Sequence, residues 1–172
     1  MSSLELRLTV SEDVPGILAL IAEIYAEYDC VLNAEQDERH LLEPGPYFRK
    51  RGGEFWVVED DAGVIRATAA VALHEDAAEL KTLYVHPSLR RQGWGRRLTE
   101  LAMEYARRAG KPKMVLWSDT RFAAAHSLYR GMGFRECGER ELHDSNNSRE
   151  YGFEMSLAED ELKRFPQAFP QP

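Results

Sequence analysis

Hydrophobic residues recur along the first third of this chain at two different spacings. Apolar and polar residues alternate over 4–10, which predicts a strand. The spacing then becomes helical, and the predicted helix would bury one stripe of side chains: Val14, Ile17, Leu18, Ile21, Ile24, Tyr25 and Tyr28. After residue 29 the pattern weakens. It predicts a short helix near 34–42, followed by a loop that is interrupted at Pro44, Gly45 and Pro46.

The remaining pattern predicts the rest of a sheet and two more helices. Strands are predicted at 54–60, 64–73, 78–85, 113–118, 134–140 and 151–157. One helix begins at Trp94 and ends at Gly110, and the other spans 122–132 before Gly133. The element order β-α-α-β-β-β-α-β-α-β-β predicts one mixed sheet with helices on both faces, which is an α/β (α+β) fold.

The composition limits the class of protein without identifying it. The 172 residues suit a single domain, with a core at 4–157 and a Pro-rich C-terminal tail at 158–172 that we expect to be loosely packed. Hydrophobic residues make up 44% of the chain and no apolar run reaches about 18 residues, so we expect no membrane association. The two cysteines form no C-x-x-C pair, and residues 1–10 lack the features of a signal peptide. Both observations favour a cytoplasmic protein.

The net charge of -7 argues against a nucleic-acid partner, because such proteins usually present a basic face. It fits a cationic substrate, although acidity also serves plain solubility. The five histidines show no spacing typical of metal ligands, so no metal site is expected.

A glycine-rich basic turn separates the strand at 78–85 from the next helix. Gly93 and Gly95 lack a Cβ atom, so the backbone can come close to a ligand there. The first N–H groups of a helix have no partner within it, and the helix dipole adds positive charge. We therefore expect the N–H groups of 91–96 to hold a phosphate or pyrophosphate. The alternative is an ordinary tight turn on a solvated surface, in which Trp94 anchors the helix to the core.

Two common phosphate motifs do not fit this turn. A P-loop would need G-x-x-x-x-G-K-[ST], which the chain lacks. A dinucleotide fingerprint would need a third glycine where Leu98 stands, and it would lie in the first βα turn of the fold.

Counted from Arg90, the turn reads R-x-x-G-x-G, and here the chain resembles the GCN5-related N-acetyltransferase (GNAT) family. The acetyl-CoA signature of that family is [QR]-x-x-G-x-[GA] between a strand and a helix. A second stretch, AAAHSLYRGMGF at 123–134, is similar to the family's late motif A-x-x-[LF]-Y-x-x-x-G-F. The element order matches as well. The resemblance implies a GNAT-like, mostly antiparallel twisted sheet of about 7 strands and acetyl-CoA (coenzyme A) as co-substrate.

The resemblance also implies where the cofactor binds. Main-chain atoms of the strand before the turn would pair with the pantetheine arm, as in β-augmentation: Leu83, Tyr84 and Val85. The turn itself would hold the pyrophosphate: Arg90, Arg91, Gln92, Gly93, Trp94, Gly95 and Arg96. Where the family often has an asparagine, this chain has Phe122. We therefore expect packing, or the neighbours Ser118 and Asp119, to replace the asparagine contact.

Transfer to an amine needs a base, because a free alkylamine has a pKa of about 10 and is almost wholly protonated at pH 7. The resemblance implies that Glu79, at the start of the strand before the turn, is the general base. The alternatives nearby are His74, Glu75, Asp76 and His126. The hydroxyl of Tyr129 is expected to protonate or hydrogen-bond the departing sulfur. Because Cys137 follows the last helix, we expect direct attack in a ternary complex and no acyl-cysteine.

The acceptor is expected to be a primary amine of a small molecule or of a protein lysine or N-terminus. It would be recognised by residues 25–55 and 141–150, where several acidic side chains favour a cation: Asp29, Glu35, Asp37, Glu38 and Asp144. A solvated acidic surface is the alternative. The rival to catalysis is a non-catalytic, acyl-CoA-binding or sensing module of the same fold. A different acyl donor and a homodimer remain open.

Overall fold

A computed structural model describes residues 3–158, in which seven strands form one sheet in the order β1-β2-β3-β4-β5-β7-β6. The strands are β1 (Leu4–Leu8), β2 (Glu54–Asp60), β3 (Ile65–Leu73), β4 (Ala78–Val85), β5 (Lys113–Asp119), β6 (Arg135–Glu141) and β7 (Arg149–Ser156). Neighbouring strands are antiparallel except β4 and β5, which are parallel. The predicted mixed, mostly antiparallel sheet is confirmed.

Four α-helices cover the two faces of the sheet: α1 (Val14–Ala26), α2 (Pro44–Arg49), α3 (Trp94–Arg108) and α4 (Ala123–Met132). Successive side chains of β2 point to opposite faces of the sheet, so the core consists of two clusters. Phe55 and Val57 are buried with α1 and α2, whereas Trp56 and Val58 are buried with α3 and α4. Each large apolar side chain buried in this way contributes about 1.5–3 kcal/mol. The helices therefore lie on both faces, as predicted.

The connection between α1 and β2 differs from its prediction. The described residues contain no α-helix over 34–42, where only a short 3-10 turn at Arg39–Leu42 forms. Helix α2 begins instead at Pro44, inside the predicted loop. Proline suits the first turn of a helix, because its fixed φ is helical and no N–H is needed there. The Pro-Gly-Pro segment therefore begins a helix whose Phe48 is fully buried.

A bulge in β4 separates this strand from β5. Thr68 pairs with Tyr84 and Ala70 with Lys81, so β4 has one extra residue at this point. Thr82 has a φ of 53°, which is rare for a β-branched residue, and its carbonyl accepts a hydrogen bond from the Thr68 hydroxyl at 2.8 Å. Beyond the bulge β4 no longer pairs with β5, whose ladder with β4 covers only 78–80 and 114–116.

Two other expectations concern the ends of the chain and the membrane. The predicted loose tail at 158–172 lies outside the described residues, apart from Ala158. Among residues 3–158, none of the helices combines the length and the apolar character that a membrane crossing requires.

Candidate active site

A cleft opens in the sheet where β4 and β5 separate. Its walls are residues 80–84 of β4 and 116–119 of β5, and α4 contributes Ala125 and Tyr129. The phosphate turn predicted from the sequence follows β4 after a short 3-10 turn at Pro87–Leu89. The bulge thus leaves an opening between β4 and β5.

The backbone of this turn matches its prediction in one respect. Within the described part of the chain, the N–H groups of 91–96 donate to no protein acceptor, and the first to do so is that of Arg97, to Gly93 O at 2.9 Å. Gly93 has a φ of 82°, and a Cβ atom there would have no atom within 4 Å. The turn therefore presents a row of free donors beside open space, at the positive end of a helix of fifteen residues.

The second glycine of the turn lies at a close contact between two helices. A Cβ atom on Gly95 would lie 3.0 Å from Leu128 Cδ2 on α4, so a side chain there would crowd the α3–α4 contact. The sequence analysis gave both glycines the same role, which is closeness to a ligand. The structure separates them: Gly93 leaves the turn open, and Gly95 lets two helices approach.

The polar side chains of the turn divide into two groups. The Arg90 guanidinium donates to both carboxylate oxygens of Glu27 at 2.7 Å and to Val85 O at 3.2 Å. This pairing lowers the pKa of Glu27. Gln92 is likewise engaged, since its Nε2 donates to Ser88 O at 2.7 Å. Arg91 is exposed, and Arg96 is exposed with only a long ion pair to Glu100 at 3.8 Å, so these two side chains could turn to an anion.

Tyr129 lies on the buried face of α4 and lines the cleft. Only 4% of its surface is exposed, and its ring packs against Phe134 and Phe153. Within residues 3–158 its hydroxyl makes no hydrogen bond, and burial raises the pKa of the phenol. The group therefore stays protonated and is free to donate to a ligand in the cleft.

Phe122 begins α4 as part of an aromatic cluster. Its ring contacts Tyr28 with 4.9 Å between centroids, Tyr84 with 6.3 Å and Tyr25 with 6.5 Å. The residue that replaces the family's asparagine therefore offers an apolar wall to the cleft.

The two polar neighbours suggested as substitutes for that asparagine are already paired. Ser118 Oγ lies 3.1 Å from His126 Nε2, and Asp119 binds Arg121 at 2.9 Å. Burial lowers the pKa of His126, so its imidazole is neutral near pH 7.

Glu79 lines an adjoining pocket, which shares seven of its lining residues with the cleft. This pocket is lined by Glu38, His40, Glu79, Lys81, Trp117, Arg140 and Glu150, among others. The Glu79 carboxylate lies 2.7 Å from His74 Nε2 and 3.7 Å from Lys81 Nζ. Tyr129 does not line this pocket. Glu79 therefore lines the adjoining pocket and Tyr129 lines the cleft, and the two cavities are continuous along their shared residues.

Glu38 lines both cavities. Its Oε1 accepts a hydrogen bond from the Tyr25 hydroxyl at 3.2 Å, and the same hydroxyl lies 3.2 Å from that of Tyr84. Its other oxygen lies 3.5 Å from His40 Nε2. This contact is not an ion pair, because burial lowers the pKa of His40 to about 4. Burial also raises the pKa of Glu38 itself.

Two loops close the acceptor side of the cleft. Asn146, between β6 and β7, donates from Nδ2 to Val31 O at 2.8 Å and accepts from Val31 N at 2.9 Å. Asp37 accepts from Ser145 N at 3.1 Å. The two regions predicted to shape the acceptor site, 25–55 and 141–150, therefore meet here. Cys137 is exposed on β6 and does not line the cleft.

Sequence reasoning missed several cavity residues: Tyr25, Lys81, Trp117, Arg140 and Glu150. The sequence signal for Tyr25 was its position in the last turn of the apolar stripe of α1. A tyrosine in such a stripe places its hydroxyl against the core. Lys81 follows Glu79 on the same face of β4, which the alternation of a strand could have indicated. Among residues 3–158, no group of three or more His, Cys, Asp or Glu side chains could hold a metal ion.

A family model described as an acetyltransferase (GNAT) domain matches residues 51–136. The uncharacterized N-acetyltransferase YjgM of Escherichia coli K12 is 30% identical over 135 residues, which cover 74% of this chain and 79% of YjgM. Human N-acetyltransferase 8 is 32% identical over 98 residues, or 54% of this chain and 43% of its own length. Human N-acetylaspartate synthetase is 32% identical over 137 residues, or 79% and 42%. This chain thus spans less than half the length of the two human relatives.

Solved structures show the same fold. A GNAT-family acetyltransferase from Staphylococcus aureus Mu50 superimposes with a TM-score of 0.80 at 18% identity, covering 90% of this chain and 99% of its own. The yncA protein of Salmonella typhimurium, solved with its cofactor acetyl-CoA, has a TM-score of 0.70 at 21% identity and covers 98% of both chains.

Proposed function

The chain belongs to the GNAT acetyltransferase family, and from this premise we propose that it transfers an acetyl group from acetyl-CoA to a primary amine. Residues 4–157 would act as a single catalytic domain. One observation carries the proposal: a row of free backbone donors at 91–96 follows β4, and residues 80–84 of this strand line a cleft together with the buried, protonated Tyr129.

The residues present fit the cofactor. A diphosphate needs several donors near positive charge, which the free amides, the start of α3 and the exposed Arg91 and Arg96 supply. The open space at Gly93 leaves room for it. The main chain at 83–85, which lies beyond the ladder with β5, would bind the pantetheine arm, and Phe122 would pack against it. Arg90 would act through Glu27 by fixing the shape of the turn.

When bound, acetyl-CoA supplies an activated thioester. The chain's own part would be to hold the carbonyl near the amine, for which the Val85 N–H is the proposed donor, and to protonate the leaving sulfur. Tyr129 suits the second role, because its hydroxyl has no protein partner within residues 3–158 and is kept protonated by burial.

We propose that the acceptor is an amine that carries no carboxylate or other anionic group. Human N-acetylaspartate synthetase has a dicarboxylic product in its name, but the cleft and adjoining pocket of this chain carry five acidic side chains: Glu38, Glu79, Asp119, Asp144 and Glu150. The basic side chains that line them are Lys81 and Arg140. Arg140 already donates to Glu150 at 2.6 Å. This balance favours a cation over an anion.

Calorimetric titration with acetyl-CoA, CoA and desulfo-CoA tests the cofactor half of the proposal. We expect saturable binding of all three, and the absence of heat at near-millimolar ligand would contradict it. The acceptor half is tested by measuring thiol release with a panel of alkylamines, polyamines, amino acids and lysine peptides.

A non-catalytic acyl-CoA sensor is the second candidate, favoured only by Phe122 in place of the family's asparagine. It predicts tight acyl-CoA binding without thiol release for any amine of the panel. Longer acyl-CoA donors in the same assay test whether acetyl is the preferred group.

A further inference from the structure

The contacts of the cleft indicate how an acceptor amine could lose its proton. We propose that this proton passes along the hydroxyls of Tyr84 and Tyr25 to the carboxylate of Glu38, which serves as the base in place of Glu79. The inference rests on the proposed function, since it concerns the acceptor of the same reaction.

The direction of the hydrogen bonds supports this path. A tyrosine hydroxyl has one proton to donate, and Tyr25 gives its proton to Glu38 Oε1 at 3.2 Å. The 3.2 Å contact between the two hydroxyls must then be donated by Tyr84. The Tyr84 oxygen keeps free lone pairs, and Tyr84 lines the cleft. An ammonium group in the cleft can therefore donate to Tyr84, at the beginning of a chain that ends on Glu38.

The partners of the two carboxylates favour Glu38 over Glu79. Glu79 has His74 and Lys81 within ion-pair distance and lines only the adjoining pocket. Among the described residues, the group within 4 Å of Glu38 that could form an ion pair is His40, which burial keeps neutral. Glu38 is therefore a partly buried carboxylate without a charged partner.

The groups around Glu38 come from several elements. His40 and Asp37 lie on its own segment, Tyr25 on α1, Glu79, Lys81 and Tyr84 on β4, Arg140 on β6 and Glu150 on β7. Burial, Glu150 and Asp37 raise the pKa of Glu38, while the hydrogen bond from Tyr25 and the charge of Lys81 lower it. Burial also raises the pKa values of Tyr25 and Tyr84, so each hydroxyl keeps a proton and only passes one on.

The proton and bond changes balance as follows. The ammonium gives one proton to Tyr84 while Tyr84 gives one to Tyr25 and Tyr25 gives one to Glu38, which becomes a carboxylic acid. The neutral amine attacks the thioester carbonyl, so that a C–N bond forms and the C–S bond breaks. The sulfur takes a proton from Tyr129, which regains one from the nitrogen. The amide and free CoA thiol leave, and Glu38 releases its proton to solvent.

The test is the pH dependence of kcat/KM for thiol release, with acetyl-CoA and the fastest amine of the panel. For Glu38→Gln we expect a loss of about 100-fold near pH 7, because general base catalysis contributes roughly 10²–10⁴-fold. The loss should shrink about tenfold per pH unit as the amine itself deprotonates. The acidic limb that Glu38 sets in the wild-type profile should be replaced by one that follows the pKa of the amine, about 10.

Tyr25→Phe provides a variant that keeps the ring contacts and breaks the chain of hydroxyls. We expect kcat to fall about tenfold, which is less than the roughly 10²–10⁴-fold that general base catalysis itself contributes. The acidic limb should move to higher pH, because Glu38 loses the hydrogen bond that lowers its pKa.

Two matched controls accompany these variants. Tyr28→Phe removes a hydroxyl that makes no hydrogen bond within the described residues, from the same end of α1 and beside the same Phe122. Glu43→Gln removes an exposed carboxylate from the same segment as Glu38. Both should keep the wild-type profile.

Two results would overturn the inference: an unchanged acidic limb in Glu38→Gln and Tyr25→Phe, or the loss of that limb in Glu79→Gln. Failure of the proposed function looks different, because the wild-type protein itself would then bind no CoA or release no thiol with any amine. CoA titration of each variant separates a lost relay from a lost fold.

Discussion

The two proposed binding regions would recognise their ligands with different kinds of groups. At the proposed cofactor end the donors are main-chain amides of one short stretch, 91–96. At the proposed acceptor end the groups are side chains of Tyr25, Glu38 and Tyr84, which are far apart in the sequence. Recognition by main chain depends on a local conformation, which a few residues determine. Recognition by side chains depends on the whole fold, because only the fold brings such residues together.

The largest expected effect lies where the two ends meet, at Tyr129. We expect Tyr129→Phe to lower kcat about 100-fold, since it removes a general acid, and to leave CoA affinity unchanged. The free energy of unfolding should not fall, because within residues 3–158 the hydroxyl has no hydrogen bond to lose. Stopped-flow thiol release and thermal unfolding measure the two quantities.

Tyr105→Phe is the control for Tyr129→Phe, and the opposite result is expected for it. The Tyr105 hydroxyl donates to Gly52 O at 2.7 Å, away from the cleft, so its removal should cost about 1 kcal/mol of stability and no activity. Equal kcat values for Tyr129→Phe and wild type would remove Tyr129 from the chemistry.

The next effect tests whether the backbone of the turn binds the cofactor. Gly93→Ala should weaken CoA binding about tenfold, because a side chain at φ 82° costs about 1–2 kcal/mol and enters the open space beside the amides. Calorimetry measures the affinity.

Gly110→Ala is its control, since Gly110 follows the same helix, has a φ of 74° and also faces open space. It carries the same backbone strain away from the cleft and should bind CoA like the wild type. If both variants bound equally well, the main chain at Gly93 would not be part of the site.

The free energy of unfolding should also depend on pH, because burial beside Glu38 lowers the pKa of His40. Its pKa in the folded protein, about 4, lies below the unfolded value of about 6.5, so the unfolded state binds more protons between these values. Stability is therefore complete above pH 6.5 and falls as the pH drops towards 4. We expect His40 to account for about 1 kcal/mol lost between pH 7.5 and 5.5.

Denaturant unfolding at several pH values measures this slope. His40→Gln should flatten it, leaving the smaller contribution of His126, whose pKa burial also lowers. Exposed His143 serves as the control, and His143→Gln should leave the slope as it is. A slope identical in all three proteins would mean that His40 is protonated without cost.

The smallest effect is expected at Gly95. Gly95→Ala places a Cβ atom 3.0 Å from the flexible end of Leu128, while alanine favours the helix by about 1 kcal/mol. These effects offset each other, so stability and CoA affinity should both stay close to wild type. A loss of affinity as large as that of Gly93→Ala would show that both glycines face the ligand.

The sequence was sufficient for most of the fold because its patterns are local. Alternation along β2 and β3 and the helical stripe of α3 predict the elements, and the two motifs add the family. The exception was 34–49, where Pro44 and Pro46 were interpreted as interruptions. Proline disrupts a helix only beyond its first turn, so the same residues permit a helix to begin.

The site was predictable only in part, for the same physical reason. The free amides of 91–96 follow from a glycine turn that opens a helix. The pairing of Arg90 with Glu27 could not be predicted, because 63 residues separate the partners. Nor could the position of Glu79 in the adjoining pocket, since the other walls of that pocket come from residues 38–41, Trp117 and Arg140.

The ion pair between Arg90 and Glu27 has a mechanical consequence. Glu27 caps α1 only two residues after Tyr25, so a single helical end carries both the partner of Arg90 and the middle hydroxyl of the proposed relay. If CoA binds at the turn as proposed, a rearrangement of the turn would also displace the Tyr25 phenol. Donor and acceptor should therefore bind in a preferred sequence, the thioester first, with the loaded protein gripping its amine more tightly than the empty one.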